Sequence, residues 1–253
     1  MSSAAIPSSR PRIVYPDTDG LPMAENTLQF EWIVTIKGGL DHLFDSDPNV
    51  FVAGDLFWYP VEGHPEIRIA PDAMAAFGRP KGHRLSYMQW EEGNIPPQVV
   101  FEVLSPGNRV GEMIRKFEFY QQYGVEEYYL YDPDPQRLQL SGFMRQGGQL
   151  IEVPEMNGHQ SPRLTIKFEM TDAGLRIIRP DGQPFLTYEE VARREEHERK
   201  RAEHEARRAE HEARRAETER QRAQAERQRA DQASVQVEQL RQRLRQLGHD
   251  PTD

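Results

Sequence analysis

One carboxylate stands where a strand would bury it. Gln98-Val99-Val100-Phe101-Glu102-Val103-Leu104 is an apolar run of strand length with Glu102 in its middle. An ionised carboxylate buried alone is costly, so Glu102 must be protonated, paired with a cation or bound to a metal. Asp72, directly after Pro71, is a second acid set among Ala, Met and Ile in the strand-like run Glu66 to Phe77. Two buried acids on adjacent strands repel unless a cation lies between them, and an all-oxygen donor set favours Mg²⁺, Mn²⁺ or Ca²⁺. Lys116 falls on the helix expected after the Glu102 strand, and its stem could reach back to that strand's carboxyl end. Together these types suit phosphodiester hydrolysis. A hard ion polarises a phosphoryl oxygen and lowers the pKa of a bound water, while an ammonium orients the water and offsets growing charge.

Each residue also has a plainer reading. Glu112 lies four residues before Lys116 and could pair with it on a helix surface. Glu102 could be the buried partner of Arg109 or Arg115, and Asp72 could end its strand by bonding local backbone. Arg79-Pro80-Lys81-Gly82-His83-Arg84 could clamp DNA phosphates or be ordinary basic surface. His197, His204 and His211 recur every seven residues. That is two helical turns, roughly 10 Å, too far for a shared ion. The chain has no cysteine, which excludes thiol nucleophiles and Cys-ligated metals, and it has no P-loop, dinucleotide glycine pattern or HExxH.

The elements that must position these groups can be read around them. Asn26 can cap a helix in which Leu28, Trp32, Ile36 and Leu40 recur every four residues, with Gly38-Gly39 weakening or breaking it. Val50 to Tyr59 and Glu66 to Phe77 read as strands joined in a hairpin by the turn Pro60 to Pro65. The Glu102 strand, a helix from Val110 to Tyr123 and the strand Tyr128 to Tyr131 form a βαβ unit, which implies a parallel pair. Ile114, Phe117 and Tyr120/Gln121 mark the inner face of that helix, and Gly124 suits the left-handed position past its end. Leu138 to Phe143, Gln149 to Val153 and Leu175 to Arg179 read as strands of a peripheral sheet.

The chain changes character near Tyr188. Up to Glu190 it carries 16 Lys and Arg against 27 Asp and Glu; after that the count is 16 against 14. An acidic domain of this kind meets nucleic acid only through a local basic patch or a metal. Thr187-x-x-Glu190 is a capping box opening a long helix. Near-repeats of seven follow, with Ala202, Ala209, Ala216, Ala223, Ala230, Val237 and Leu244 on one heptad position. Ala233, Leu240 and Leu247 supply a second position only at the far end, so a solvated single helix and a weak coiled coil both remain open. No apolar run approaches the roughly 18 residues of a membrane span.

Several stretches carry a resemblance. Pro71-Asp72, Pro97 to Pro106, Glu112 to Tyr120, Tyr123 to Tyr129 and Asp132-Pro133 resemble the bacterial Uma-two family, a branch of the PD-(D/E)XK nuclease superfamily. The resemblance covers roughly Asn26 to Arg179. It implies an α/β fold, a restriction-endonuclease-like mixed sheet with flanking helices, here followed by the long charged C-terminal helix. It also implies Mg²⁺, or Mn²⁺, held by Asp72 and Glu102. The superfamily's lysine stands two residues after the Glu, where this chain has Leu104; Lys116 matches the lysine moved to the following helix. Superfamily members often add an acid from the first helix, and Glu31 is the acid well inside that helix here.

The expectation is therefore a flexible arm over residues 1–25, a nuclease-like domain over 26–186 and a charged helix over 187–253. The domain is expected to be a cytoplasmic Mg²⁺-dependent deoxyribonuclease with Asp72, Glu102 and Lys116 as its catalytic set. Arg79, Lys81, Arg84 and Arg109 are the expected DNA contacts, and a homodimer through the helix stays open beside a lone helix. The competing expectation is a catalytically silent nuclease fold that binds or scaffolds and self-associates through its tail, which the acidic charge of the domain favours.

Overall fold

The computed structural model describes residues 13–18, 20, 24 and 26–246. It divides into two units, 1–191 and 192–253.

The first helix, α1 (Thr27–Leu43), starts where Asn26 accepts a hydrogen bond from the Gln29 N–H at 2.8 Å. It runs through Gly38-Gly39 without a break. The reason is tertiary: a Cβ on Gly39 would lie 2.1 Å from the Phe185 ring, so that glycine admits a packed aromatic rather than ending the helix.

Six strands form the main sheet in the order β1 (Val50–Ala53), β3 (Ala73–Phe77), β5 (Val99–Val103), β6 (Glu127–Asp132), β7 (Gln139–Gln146), β8 (Gln149–Glu152). β5 and β6 run parallel and every other neighbouring pair is antiparallel. The parallel pair is bridged by α2 (Val110–Tyr123), the expected βαβ unit. Gly124 ends α2 at φ 97°, a left-handed conformation, and its N–H bonds the Tyr120 carbonyl. Alternation along β5 separates two cores. Val99, Phe101 and Val103 pack with Ile33, Ile36 and Leu40 of α1, whereas Val100 packs with Tyr120 of α2 and with Tyr128.

One expectation is met and two change. The hairpin through Pro60–Pro65 holds: β1 pairs antiparallel with β3, Val50 opposite Phe77, and the bridge between Trp58 and Ile69 continues the same register toward the turn. Near the turn, β2 (Trp58–Tyr59) also pairs in parallel with β4 (Tyr87–Met88), a small second sheet. Burying Trp58 and Tyr87, both with no exposed surface, holds this end of the hairpin against the α2 side. Second, the segments expected in a peripheral sheet divide: β7 and β8 extend the main sheet, and β10 (Gly174–Ile178) forms a hairpin with β9 (Lys167–Thr171). Third, Ile114 is half exposed; Phe117 and Tyr120 face inward as expected, joined by Met113 and Lys116.

Of the expected N-terminal arm, residues 1–12, 19, 21–23 and 25 lie outside the described residues. Tyr15 and Pro16 lie against the domain: the Tyr15 hydroxyl accepts from the Gly63 N–H at 2.6 Å, and Tyr59 donates to the Pro16 carbonyl. The last helix, α3 (Tyr188–Gln246), opens on the expected capping box, with the Thr187 N–H donating to Glu190 at 2.9 Å and the Glu190 N–H donating to the Thr187 hydroxyl at 3.2 Å. No residue of α3 is buried, and its described length carries ion pairs one turn apart such as Glu210–Arg214 at 2.7 Å. Leu247, the last expected heptad position, lies outside the described residues. No described helix is long and apolar enough to cross a membrane.

Candidate active site

Pro71 starts the site by what it lacks. β3 pairs β5 with Ala73 opposite Phe101, so continuing the register sets Asp72 across from Glu102 and Pro71 across from Val103. Proline has no N–H to complete the ladder, and the backbone of Val103 must find other partners. Two side chains supply them. The Val103 N–H donates to Asp72 Oδ2 at 2.7 Å, and the Val103 carbonyl accepts from Gln29 Nε2 of α1 at 2.9 Å. The Pro-Asp pair is thus a local device: it breaks the ladder and turns one carboxylate into the substitute.

Glu102 shares the sheet face of Val100, the face that α2 covers. It is 2% exposed, and Asp72 is 9% exposed. Both oxygens of Glu102 are engaged from one helix. Lys116 Nζ donates to Oε2 at 2.7 Å, and the Tyr120 hydroxyl donates to Oε1. Lys116 and Tyr120 lie four residues apart, which puts them on one stripe of α2. The turn that aims α2 is held by Asn108, whose Oδ1 accepts from the Ser105 N–H at 2.6 Å.

Electrostatics follow from this crowding. Burial, then the Glu102 carboxylate, push the Asp72 pKa well above the usual carboxylate range; Lys116 and the Val103 N–H pull against them and lose. For Lys116 burial pulls downward, but the attraction of Glu102 and Asp72 outweighs it and the ammonium pKa rises. Burial and the nearby Glu102 also raise the Tyr120 and Tyr128 hydroxyls, which keeps both protonated. The Tyr128 hydroxyl is buried without a hydrogen-bond partner among the described residues.

The structure therefore brings Asp72, Glu102 and Lys116 together. The plainer pairings resolve in detail: the ion-pair partner of Lys116 is Glu102 rather than Glu112, that of Glu102 is neither Arg109 nor Arg115, and Asp72 does bond backbone, but of a strand 31 residues away. The basic loop stands differently. Arg79 and Arg84 both bind the Glu92 carboxylate, at 2.9 and 2.6 Å, and Lys81 donates to the carbonyls of Phe44 and Asp45. Those bonds, that of Arg84 first, hold Glu92 below its ordinary pKa. Arg109 sits exposed at the N-cap of α2, and Glu31 is exposed on α1.

Two contributing residues were not singled out from sequence. Tyr120 reads as an ordinary inward-facing aromatic, although its place four residues after Lys116 is a usable signal. Gln29 reads as one polar residue in a helix; its burial opposite Val103 is visible only in the fold.

Among the described residues no group of three or more His, Cys, Asp or Glu gathers as a metal cage. Two carboxylates opposite each other fit a hard divalent ion nonetheless, since such ions keep several water or phosphate oxygens and take only one or two protein carboxylates.

The family model described as Uma2, putative restriction endonuclease, matches residues 24–173, more than half of the chain. The chain belongs to the Uma2 family. All three converging residues lie within the matched span, and membership supports a nuclease of restriction-endonuclease-like fold acting on nucleic acid. Among solved structures, this Uma2 chain is similar to a protein described as a putative nuclease from Anabaena variabilis, at 12% identity and a TM-score of 0.40, over 55% of this chain and 75% of that one. None of the curated proteins matches.

Proposed function

We propose that this Uma2 domain is a metal-dependent deoxyribonuclease in which Asp72 and Glu102 hold Mg²⁺ or Mn²⁺ and Lys116 assists the attacking water. The observation that carries the reading is the pairing of two buried acids across one strand seam with an ammonium 2.7 Å from one of them. When bound, the ion supplies an acidified water and a polarised phosphoryl oxygen.

The chain's own residues do the rest. Asp72 and Glu102 orient donor oxygens from two strands fixed by the same sheet, so neither needs to reorganise. Asp72 stays tied to the Val103 N–H, which leaves its second oxygen as the donor. Lys116 remains charged, and its ammonium can orient a water and offset negative charge developing on the phosphate. Arg109 stands seven residues before Lys116 on α2, roughly 10 Å along the helix axis, and is the cation proposed to meet a DNA phosphate. Arg79, Lys81 and Arg84 have their heads committed to Glu92 and to backbone carbonyls, so on this reading they shape the loop first.

Plasmid nicking in Mg²⁺ and Mn²⁺ tests the reading, with single-stranded RNA alongside. The parent should nick DNA only with metal, and Asp72→Ala and Lys116→Ala should reduce the rate at least ~100-fold. Variants that nick as fast as the parent would overturn it.

A further inference from the structure

The mechanism above uses Lys116 and leaves its helical neighbour unexplained. Tyr120 has no exposed surface, yet its hydroxyl reaches the one carboxylate oxygen that Lys116 does not hold. We propose that Tyr120 is a positioning residue for Glu102, holding Oε1 so that Oε2 alone passes from Lys116 to the metal ion.

The terminal torsion of a glutamate is broad and roughly two-fold, so packing alone does not decide which oxygen faces which partner. Lys116 cannot decide it either, because a flexible ammonium with three donors accepts either oxygen. A tyrosine hydroxyl on a fixed ring can. The Tyr120 ring lies parallel to Trp58 at 6.4 Å, with an interplanar angle of 2°, and packs on Tyr128 at 5.0 Å. Its position comes from these aromatic neighbours and not from the hydrogen bond, so the hydroxyl acts as a fixed peg. Donors that lock a metal-binding side chain from behind affect ion affinity without touching the ion.

The site also shows why the oxygens must be kept distinct. Oε2 carries the exchangeable contact, an ion pair that a cation of higher charge can displace. Were Oε1 free to exchange as well, Lys116 could follow the carboxylate as it turned and remain paired with it, leaving the incoming ion to Asp72 alone. With Oε1 pegged, Oε2 would be the oxygen that Glu102 offers to an ion, and Lys116 would be left unpaired beside it. Tyr128 supplies the comparison within the same cluster. It is buried, packs on Tyr120 and feels Glu102 and Asp72, but its hydroxyl bonds nothing among the described residues.

This inference rests on the proposed metal centre, and the experiment separates the two. Mn²⁺ alone is titrated calorimetrically into the full-length parent, Tyr120→Phe, Tyr128→Phe and Glu102→Gln, and the thermal midpoint of each metal-free protein is recorded. The parent should bind one Mn²⁺ and Glu102→Gln should lose it. Tyr120→Phe should bind roughly 10- to 100-fold more weakly, the range for removing a group that orients a metal ligand. Tyr128→Phe should bind within twofold of the parent. If Tyr120→Phe binds like the parent while Glu102→Gln does not bind, the positioning role is overturned and the centre stands. Equal weakening in both tyrosine variants assigns the effect to ring packing and also overturns the role. A parent that binds no Mn²⁺ overturns both the role and the centre.

Discussion

Two glutamates on neighbouring strands meet the same burial and come to different ends. Glu102 on β5 and Glu127 on β6 are each 2% exposed, on opposite faces of the sheet. Glu127 is surrounded by neutral donors: the Tyr129 hydroxyl at 2.8 Å, the Ser161 hydroxyl at 2.5 Å and the Arg163 N–H at 2.6 Å. The Arg163 guanidinium turns instead to Glu126, at 2.7 Å. Glu127 therefore pins the segment before β9 to the sheet and has no exchangeable partner. Glu102 is held by a cation and one hydroxyl, and it faces a second acid. The difference teaches that burial alone does not distinguish two carboxylates: one is saturated by neutral donors, and the other is held by an ammonium beside a second acid.

The largest expected contrast comes from the same change at both positions. Glu102→Gln should abolish metal binding and lower cleavage by roughly 100-fold or more, whereas Glu127→Gln should keep both. Nicking assays and Mn²⁺ titration check this, and equal losses at the two sites would erase the comparison. Lys116→Met comes next. Cleavage should drop by roughly 100-fold, yet Mn²⁺ should bind several-fold more tightly, because no ammonium competes for Oε2; weaker binding would mean that Lys116 builds the site rather than competes within it.

On stability the order reverses. Glu127→Gln leaves at least one buried donor facing an amide N–H, which costs about 2 kcal/mol and should show as a lowered urea midpoint with an unchanged slope. The smallest effect is one of pH. Because the folded-state pKa of Asp72 is raised, the folded protein holds that proton more tightly than the unfolded chain does. Its stabilising contribution is complete below the ordinary carboxylate pKa and fades as pH rises through the raised value. Metal-free protein should accordingly lose stability over that rise, and Asp72→Asn should flatten the loss. Glu92, whose pKa is lowered chiefly by Arg84, should act in the opposite sense, its contribution fading as pH falls. Thermal melts across pH, with and without Mn²⁺, separate the two.

The most legible parts of the fold were those whose signals are local. Asn26, Gly124 and Thr187 with Glu190 mark helix ends through bonds to residues within four positions, and the β5–α2–β6 crossover follows from short links between strongly patterned segments. The hairpin from β1 to β3 was legible, but the pairing of Trp58 with Tyr87 beside it was not, because that contact rests on burial that neither segment shows alone. Ile114 and Met113 exchanged places for a similar reason: two apolar neighbours offer alternative helix faces, and the side that also carries Lys116 and Tyr120 toward Glu102 prevailed. The basic loop reads as one patch in sequence, yet Glu92, eight residues after Arg84, claims two of its three cations.

Residue types and their order determined that two acids would be buried, that a lysine would follow on a helix, and that the chain would end in a charged rod, since burial and periodicity are properties of single segments. The tertiary structure alone decided which atoms meet. The missing N–H of Pro71 sends Asp72 to the backbone of Val103, and the register of β3 on β5 sets that carboxylate opposite Glu102. One face of α2 then assigns a lysine to one oxygen and a tyrosine to the other, at separations that only the packed sheet can fix.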